Sequence, residues 1–158
     1  MTKAGAEATI DLATGHLVSL LRRNTADLVT GLHLIGSIAD GDFRPAMSDL
    51  DFVAVLSRPL TDEDAEALVL LHRSYRTDPT LPGLDGIWLT EAELSGGPDA
   101  IGDGPTSQQG DFLVAARGNR NPVTWHALPS AVTLIGELDR GTLWRDDDRL
   151  VSWVRDNA

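Results

Sequence analysis

Apolar positions along the chain fall into two rhythms. Ile10, Leu17, Leu20 and Leu21 recur at helical spacing, which predicts an amphipathic helix over residues 10–23. Residues 32–35 form a short apolar run that stops at Gly36-Ser37, and this reads as a buried strand. A polar loop with Gly41 and Pro45 follows. Residues 49–56 then open with two carboxylates and close with an unbroken apolar run from 52 to 56, the pattern of a strand covered on both faces. Thr61 and Asp64 have capping-box spacing and predict a helix to about residue 76, stopped by Asp78-Pro79 and Pro82-Gly83. Residues 85–89 read as a third strand, and Thr90 with Glu93 as the cap of a short helix.

The second half of the chain is less regular. Residues 96–110 are rich in Gly, Pro and polar side chains, which predicts a mobile loop. Residues 112–116 and 132–135 read as strands. Between them, Asn121-Pro122 supplies an N-cap and a first helical position for a short helix to about residue 130. Residues 146–157 predict a final helix with acidic side chains in its first turn. The order helix, strand, strand, helix, strand, then mixed elements predicts a two-layer α/β or α+β domain around a mixed sheet.

Composition narrows the classes. A chain of 158 residues is one ordinary domain, and 42% hydrophobic with 23% charged residues is normal for a folded soluble protein. No apolar run approaches the ~18 residues of a membrane helix, and the first nine residues lack the apolar core of a secretory signal. The absence of cysteine excludes disulfides and thiolate metal sites. A cytoplasmic protein without a membrane partner is expected. With 24 acidic residues against 13 Lys and Arg, the net charge of -11 argues against general nucleic-acid binding. It would attract cationic small molecules or metal ions, and it also serves solubility.

Candidate chemistry is concentrated in residues 31–56. Asp49 and Asp51 are two apart on a strand, so they share a face about 6 to 7 Å apart. Two such carboxylates repel unless a cation lies between them, and magnesium takes one or two carboxylates together with waters and substrate phosphates. Val53 and Val55 continue the same face into the core, so the carboxylates belong at its mouth. Gly36 lets a phosphate approach the backbone, and the Ser37 hydroxyl and following amides can bond phosphate oxygens. A helix starting there would add its N-terminal field. Asp85 opens the next apolar strand and can bind metal or act as general base on an acceptor hydroxyl, the base role being favoured. Ser48 can touch phosphate or cap the strand. Arg44 can pair with a triphosphate or stand free on its loop. His16, His33, His72 and His126 have no metal-ligand spacing and read as structural. Trp88, Trp125, Trp144 and Trp153 read as core or interface residues.

Gly36-Ser37 followed by Ser48-Asp49-Leu50-Asp51-Phe52 resembles the signature of the DNA polymerase beta-like nucleotidyltransferase superfamily. The wider stretch, GSIADGDFRPAMSDLDFVAVL, is similar to the streptomycin and spectinomycin adenylyltransferases, with Arg44-Pro45 matching their basic-Pro step. The resemblance implies an α+β nucleotidyltransferase fold, a mixed sheet with helices mainly on one face. It implies transfer of AMP from Mg-ATP, with two magnesium ions held by Asp49, Asp51 and Asp85. Gly36, Ser37, Ser48 and Arg44 would contact the nucleotide. Asp85 stands where the family carries a catalytic glutamate, one methylene shorter. The acceptor implied is an aminoglycoside-like cation, hence a role in antibiotic resistance. Residues 1–145 are expected to form the nucleotidyltransferase domain, and residues 146–158 a terminal helix that would begin the family's C-terminal helical domain.

Two other readings remain open on the sequence. One is a minimal antitoxin-type nucleotidyltransferase that modifies a partner protein. The other is a nucleotide-binding remnant without turnover, in which a second copy or a partner chain would complete the cleft.

Overall fold

The computed structural model describes residues 2–45 and 47–158. Helix α1 (Lys3–Thr25) begins earlier than the apolar spacing alone predicts, because the Thr2 hydroxyl accepts from the Gly5 amide and caps a polar first segment. Its buried stripe is Ala13, Leu17, Leu20 and Leu21. Strands β1 (Val29–Leu34) and β2 (Leu50–Leu56) follow. Helix α2 (Asp62–Tyr75) starts in the expected capping box, with Thr61 and Asp64 exchanging bonds of 3.2 and 2.8 Å. Strand β3 (Leu84–Thr90) runs into helix α3 (Glu91–Gly96), which Thr90 and Glu93 cap in the same reciprocal way.

Residues 96–110 do not form the loop expected of them. They hold a 3-10 turn (Pro98–Ala100) and strand β4 (Gly104–Gln108), which pairs with β5 (Asp111–Ala116). The hairpin turn between these strands has positive φ at both Gln109 and Gly110, the backbone that matches the twist of paired strands. Helix α4 (Pro122–Ala127), strand β6 (Val132–Ile135) and helix α5 (Asp147–Asn157) lie where the sequence pattern places them.

The sheet order is β5-β4-β3-β2-β1-β6. Among the described residues only the β2–β3 pair is parallel, joined through α2. This is a mixed α+β fold. Alternation along the central strands divides the core in two. Leu32, Leu34, Phe52, Ala54 and Trp88 pack beneath α1 and α2. Val53, Val55, Ile87 and Leu89 pack on the other face against Leu94, Trp125 and Leu128, from the short helices α3 and α4 and the turn after α4. The long helices therefore share one face, and the site is built at the mouth of the other.

Candidate active site

The parallel register sets Asp51 beside Asp85. Asp51 lies on the face of Val53 and Val55, and Asp85 on the face of Ile87 and Leu89. Adjacent strands are about 4.8 Å apart, so the two carboxylates are neighbours at the rim of the second core. Asp49 stands just before β2, exposed, with Oδ1 against Gly83. The Leu50 amide donates to the Gly83 carbonyl at 2.8 Å, which locks the starts of the two strands together.

The third wall comes from the end of β1. The Ile35 amide donates to the Asp51 carbonyl at 3.0 Å, and the chain turns at Gly36 with φ +71°. A Cβ at Gly36 would collide with the Asp51 carboxylate, so only glycine allows the backbone this close. Residues 36–41 form a run of turns, not a helix, closed by bonds from the Asp40 amide to the Gly36 carbonyl and the Asp42 amide to the Ser37 carbonyl. The helix N-terminus entertained for this position does not form. Ser37 lies on the first turn, half-buried, one residue after Gly36.

Of two other expected contact residues, Ser48 is engaged within the loop and Arg44 stands exposed. The Ser48 hydroxyl accepts from the Arg44 amide at 2.9 Å and shapes the loop. The Arg44 guanidinium is exposed and lies 3.9 Å from Asp42. The histidines and tryptophans behave as structural residues where they are buried. His33 bonds Thr133, His72 bonds the Leu68 carbonyl and Ser107, and Trp125 donates to the Leu94 carbonyl.

One polar partner was not anticipated. Asn119, in the connection from β5 to α4, donates through Nδ2 to Asp85 Oδ1 at 3.1 Å. This fixes one carboxylate oxygen and leaves Oδ2 for a ligand or a proton. Nothing local in the sequence pairs Asn119 with a residue so far away; only the docking of α4 on the sheet does so.

Electrostatics mark the cluster as short of positive charge. Burial pushes Asp51 up to about 7, with Asp85 and Asp49 adding to the effect. Burial and Asp49 also raise Asp85. Among the described residues, no three His, Cys, Asp or Glu side chains converge tightly enough to hold an ion unaided. The donor set nevertheless fits magnesium, which needs few protein ligands when phosphate oxygens and waters complete its shell. The paired half-buried carboxylates and the open backbone at Gly36 leave room for both ion and phosphate.

Residues 17–82, which carry β1, the turn, β2 and α2, match the family described as the nucleotidyltransferase domain. Among solved structures the chain is similar to the spectinomycin adenyltransferase AAD(9) of Enterococcus faecialis with ATP and spectinomycin, at 18% identity and a TM-score of 0.59. The match covers 92% of this chain and 62% of that one, so the chain spans less than two thirds of that enzyme. It also aligns with the toxin-antitoxin MntA-HpeT, at 12% identity and a TM-score of 0.45, over 91% of this chain and 88% of that one. No curated protein sequence matches it.

Proposed function

We propose that this domain transfers AMP from Mg-ATP to a hydroxyl group of a cationic, aminoglycoside-like acceptor. The observation that carries the reading is the register pair Asp51–Asp85 at the mouth of the sheet, with the Gly36 turn pressed against Asp51. The similarity of fold to a spectinomycin adenyltransferase supports the choice of acceptor class.

Asp49 and Asp51 would hold magnesium, and Gly36 and Ser37 would receive the triphosphate along the turn. Asp85 Oδ2 accepts the proton of the acceptor hydroxyl while Asn119 keeps the carboxylate oriented through Oδ1. The hydroxyl oxygen bonds to the α-phosphorus and pyrophosphate leaves. Bound magnesium would neutralise triphosphate charge and align the attacking and leaving oxygens. The raised proton affinity of Asp85 suits a base at this position, since a stronger base takes the proton more readily.

The test is transfer of α-labelled AMP from ATP with magnesium, offered to streptomycin, spectinomycin and other aminoglycosides. Label is expected on one of these antibiotics and lost by a factor of at least about 100 in Asp51→Asn, since removing one charge-stabilising group costs on that order. Folded protein that binds Mg-ATP but labels no antibiotic would refute this acceptor class. Label on a co-expressed protein instead would establish the protein-modifying reading.

A further inference from the structure

Asp49 and Asp85 owe their places to the step Pro82-Gly83, just ahead of β3. The Gly83 carbonyl accepts from the Leu50 amide at 2.8 Å. Asp49 Oδ1 lies so close to Gly83 that a Cβ there would stand 3.3 Å from it. Asp85 follows Gly83 by two residues, and its register partner is Asp51. A shift of this step would therefore change the spacing of all three carboxylates at once.

The loop from α2 to β3 does little by itself to resist such a shift. Residues 76–80 are exposed. Between Thr77 and Leu81 the bonds are local. Thr77 Oγ1 donates to the Ser74 carbonyl at 2.7 Å, Thr80 donates through its amide and its hydroxyl to Asp78 Oδ1 at 2.9 and 2.6 Å, and the Leu81 amide donates to the Asp78 carbonyl at 3.3 Å. Pro82 has no amide hydrogen to give, so its carbonyl is the backbone group by which it can be tied. That carbonyl accepts from the Tyr75 hydroxyl at 2.6 Å.

Tyr75 is firmly seated. It is the last residue of α2, 2% exposed, and it packs in the core beneath α1 and α2. Its ring lies against His16, with centroids 5.7 Å apart. Burial, with Asp78 adding to it, raises the proton affinity of the phenol, so the hydroxyl stays a donor at neutral pH. The oxygen thus sits at the tip of a rigid ring, anchored in the packing face of the sheet, and reaches the backbone at the sheet's mouth.

We propose that Tyr75 is a positioning residue for the carboxylate cluster: its hydroxyl, through the Pro82 carbonyl, holds the Gly83 step that sets Asp49 and Asp85 against Asp51. The inference rests on the proposed magnesium-dependent transfer at these carboxylates. Tyr75 touches neither nucleotide nor acceptor in that reading and acts through the backbone it anchors. A buried hydroxyl that had only found a partner would support the fold as a whole. Positioning predicts a local effect at one end of the sheet.

The test is Tyr75→Phe in the full chain, which removes one oxygen and keeps the ring. Amide hydrogen exchange, read by NMR on the metal-free protein, compares two amides on opposite sides of Asp51. The Leu50 amide, bonded to Gly83, is expected to exchange about tenfold faster in the variant, as loss of one hydrogen bond loosens a local opening on that order. The Ile35 amide, bonded to the Asp51 carbonyl, is expected to keep its rate within about twofold. An unchanged rate at Leu50 would overturn the proposal, because the step would not need the hydroxyl. So would a parallel rise at Leu50 and Ile35, because the hydroxyl would then serve the whole fold. In AMP transfer, kcat should fall and the magnesium concentration for half-maximal rate should rise, each by about tenfold, since partners that orient metal-ligating side chains act on that order. Unchanged values of both would also overturn it. A native chain without transfer would sink the proposed function instead, and the exchange comparison would still decide whether Tyr75 holds the two strand starts together.

Discussion

Asn119 is the residue whose part in the site is most exposed to test. Its Nδ2 holds one oxygen of Asp85 at 3.1 Å, and Asp85 is the candidate base. Such a bond acts on direction: a carboxylate free to rotate spends less time facing the acceptor hydroxyl. Misplacement of about 1 Å can cost on the order of 100-fold in rate, so Asn119→Ala is expected to lower kcat by about 10- to 100-fold. The KM for ATP should stay within about twofold, because the bond Asn119 makes is to the candidate base, Asp85. Steady-state kinetics with ATP varied would show the split. An equal loss through KM would mean that Asn119 shapes the nucleotide site and does not position a base. Gly36 makes the complementary point. Its need for glycine comes from contact with the Asp51 carboxylate, and the sequence identified it through the company of Ser37 and the Asp49–Asp51 pair.

At the scale of elements, what was legible in the sequence was what neighbours along the chain decide. Thr61 with Asp64, and Thr90 with Glu93, announce α2 and α3 because a capping box closes within one turn. The strands around Asp51 and Asp85 announce themselves by length and apolar content. Strand β4 could not be seen this way. Gly104, Pro105, Thr106 and Ser107 have no strand-like pattern, and their order comes from pairing with β3 and β5. Thr106 Oγ1 donates to the Gly104 carbonyl at 2.9 Å, and Ser107 accepts from Trp88 Nε1 at 3.0 Å. The Ser107 hydroxyl in turn meets His72 Nε2, while His72 Nδ1–H donates to the Leu68 carbonyl. This buried relay ties α2 to the sheet and sets a pH dependence. Burial, with Arg76 contributing, lowers His72 from 6.5 to about 4. The folded state therefore binds fewer protons than the unfolded one between these values. The relay's contribution is complete above pH 6.5 and falls as pH drops towards 4, by about 3 kcal/mol in all. Urea unfolding of the native chain and His72→Gln at pH 7.5, 5.5 and 4.5 checks this. The stability gap should narrow steadily with acid, and a gap independent of pH would mean that His72 takes up its proton equally in the folded and unfolded states.

Over the whole molecule, one sheet separates a packing face from a chemical one. The long helices α1 and α2 cover the first face, and the carboxylate edge opens at the mouth of the second. The net charge of -11 is spread over this frame, and it sets how the proposed reactants approach. An acidic surface raises the local concentration of a cationic acceptor and lowers that of an anionic nucleotide. Salt weakens both effects, since the screening length falls from about 10 Å at 0.1 M to about 3 Å at 1 M. The two substrates should therefore respond in opposite senses. The KM for a polycationic acceptor is expected to rise several-fold across that range, while the KM for Mg-ATP stays level or falls. The proposed chemical step, beside Asp51, Asp85 and the Gly36 turn, should keep its kcat within about twofold because close partly buried charges are screened little. Initial rates with each substrate varied at fixed magnesium would measure this. Parallel increases in both KM values would mean that salt loosens the fold or the metal site, and that surface charge does not choose the acceptor.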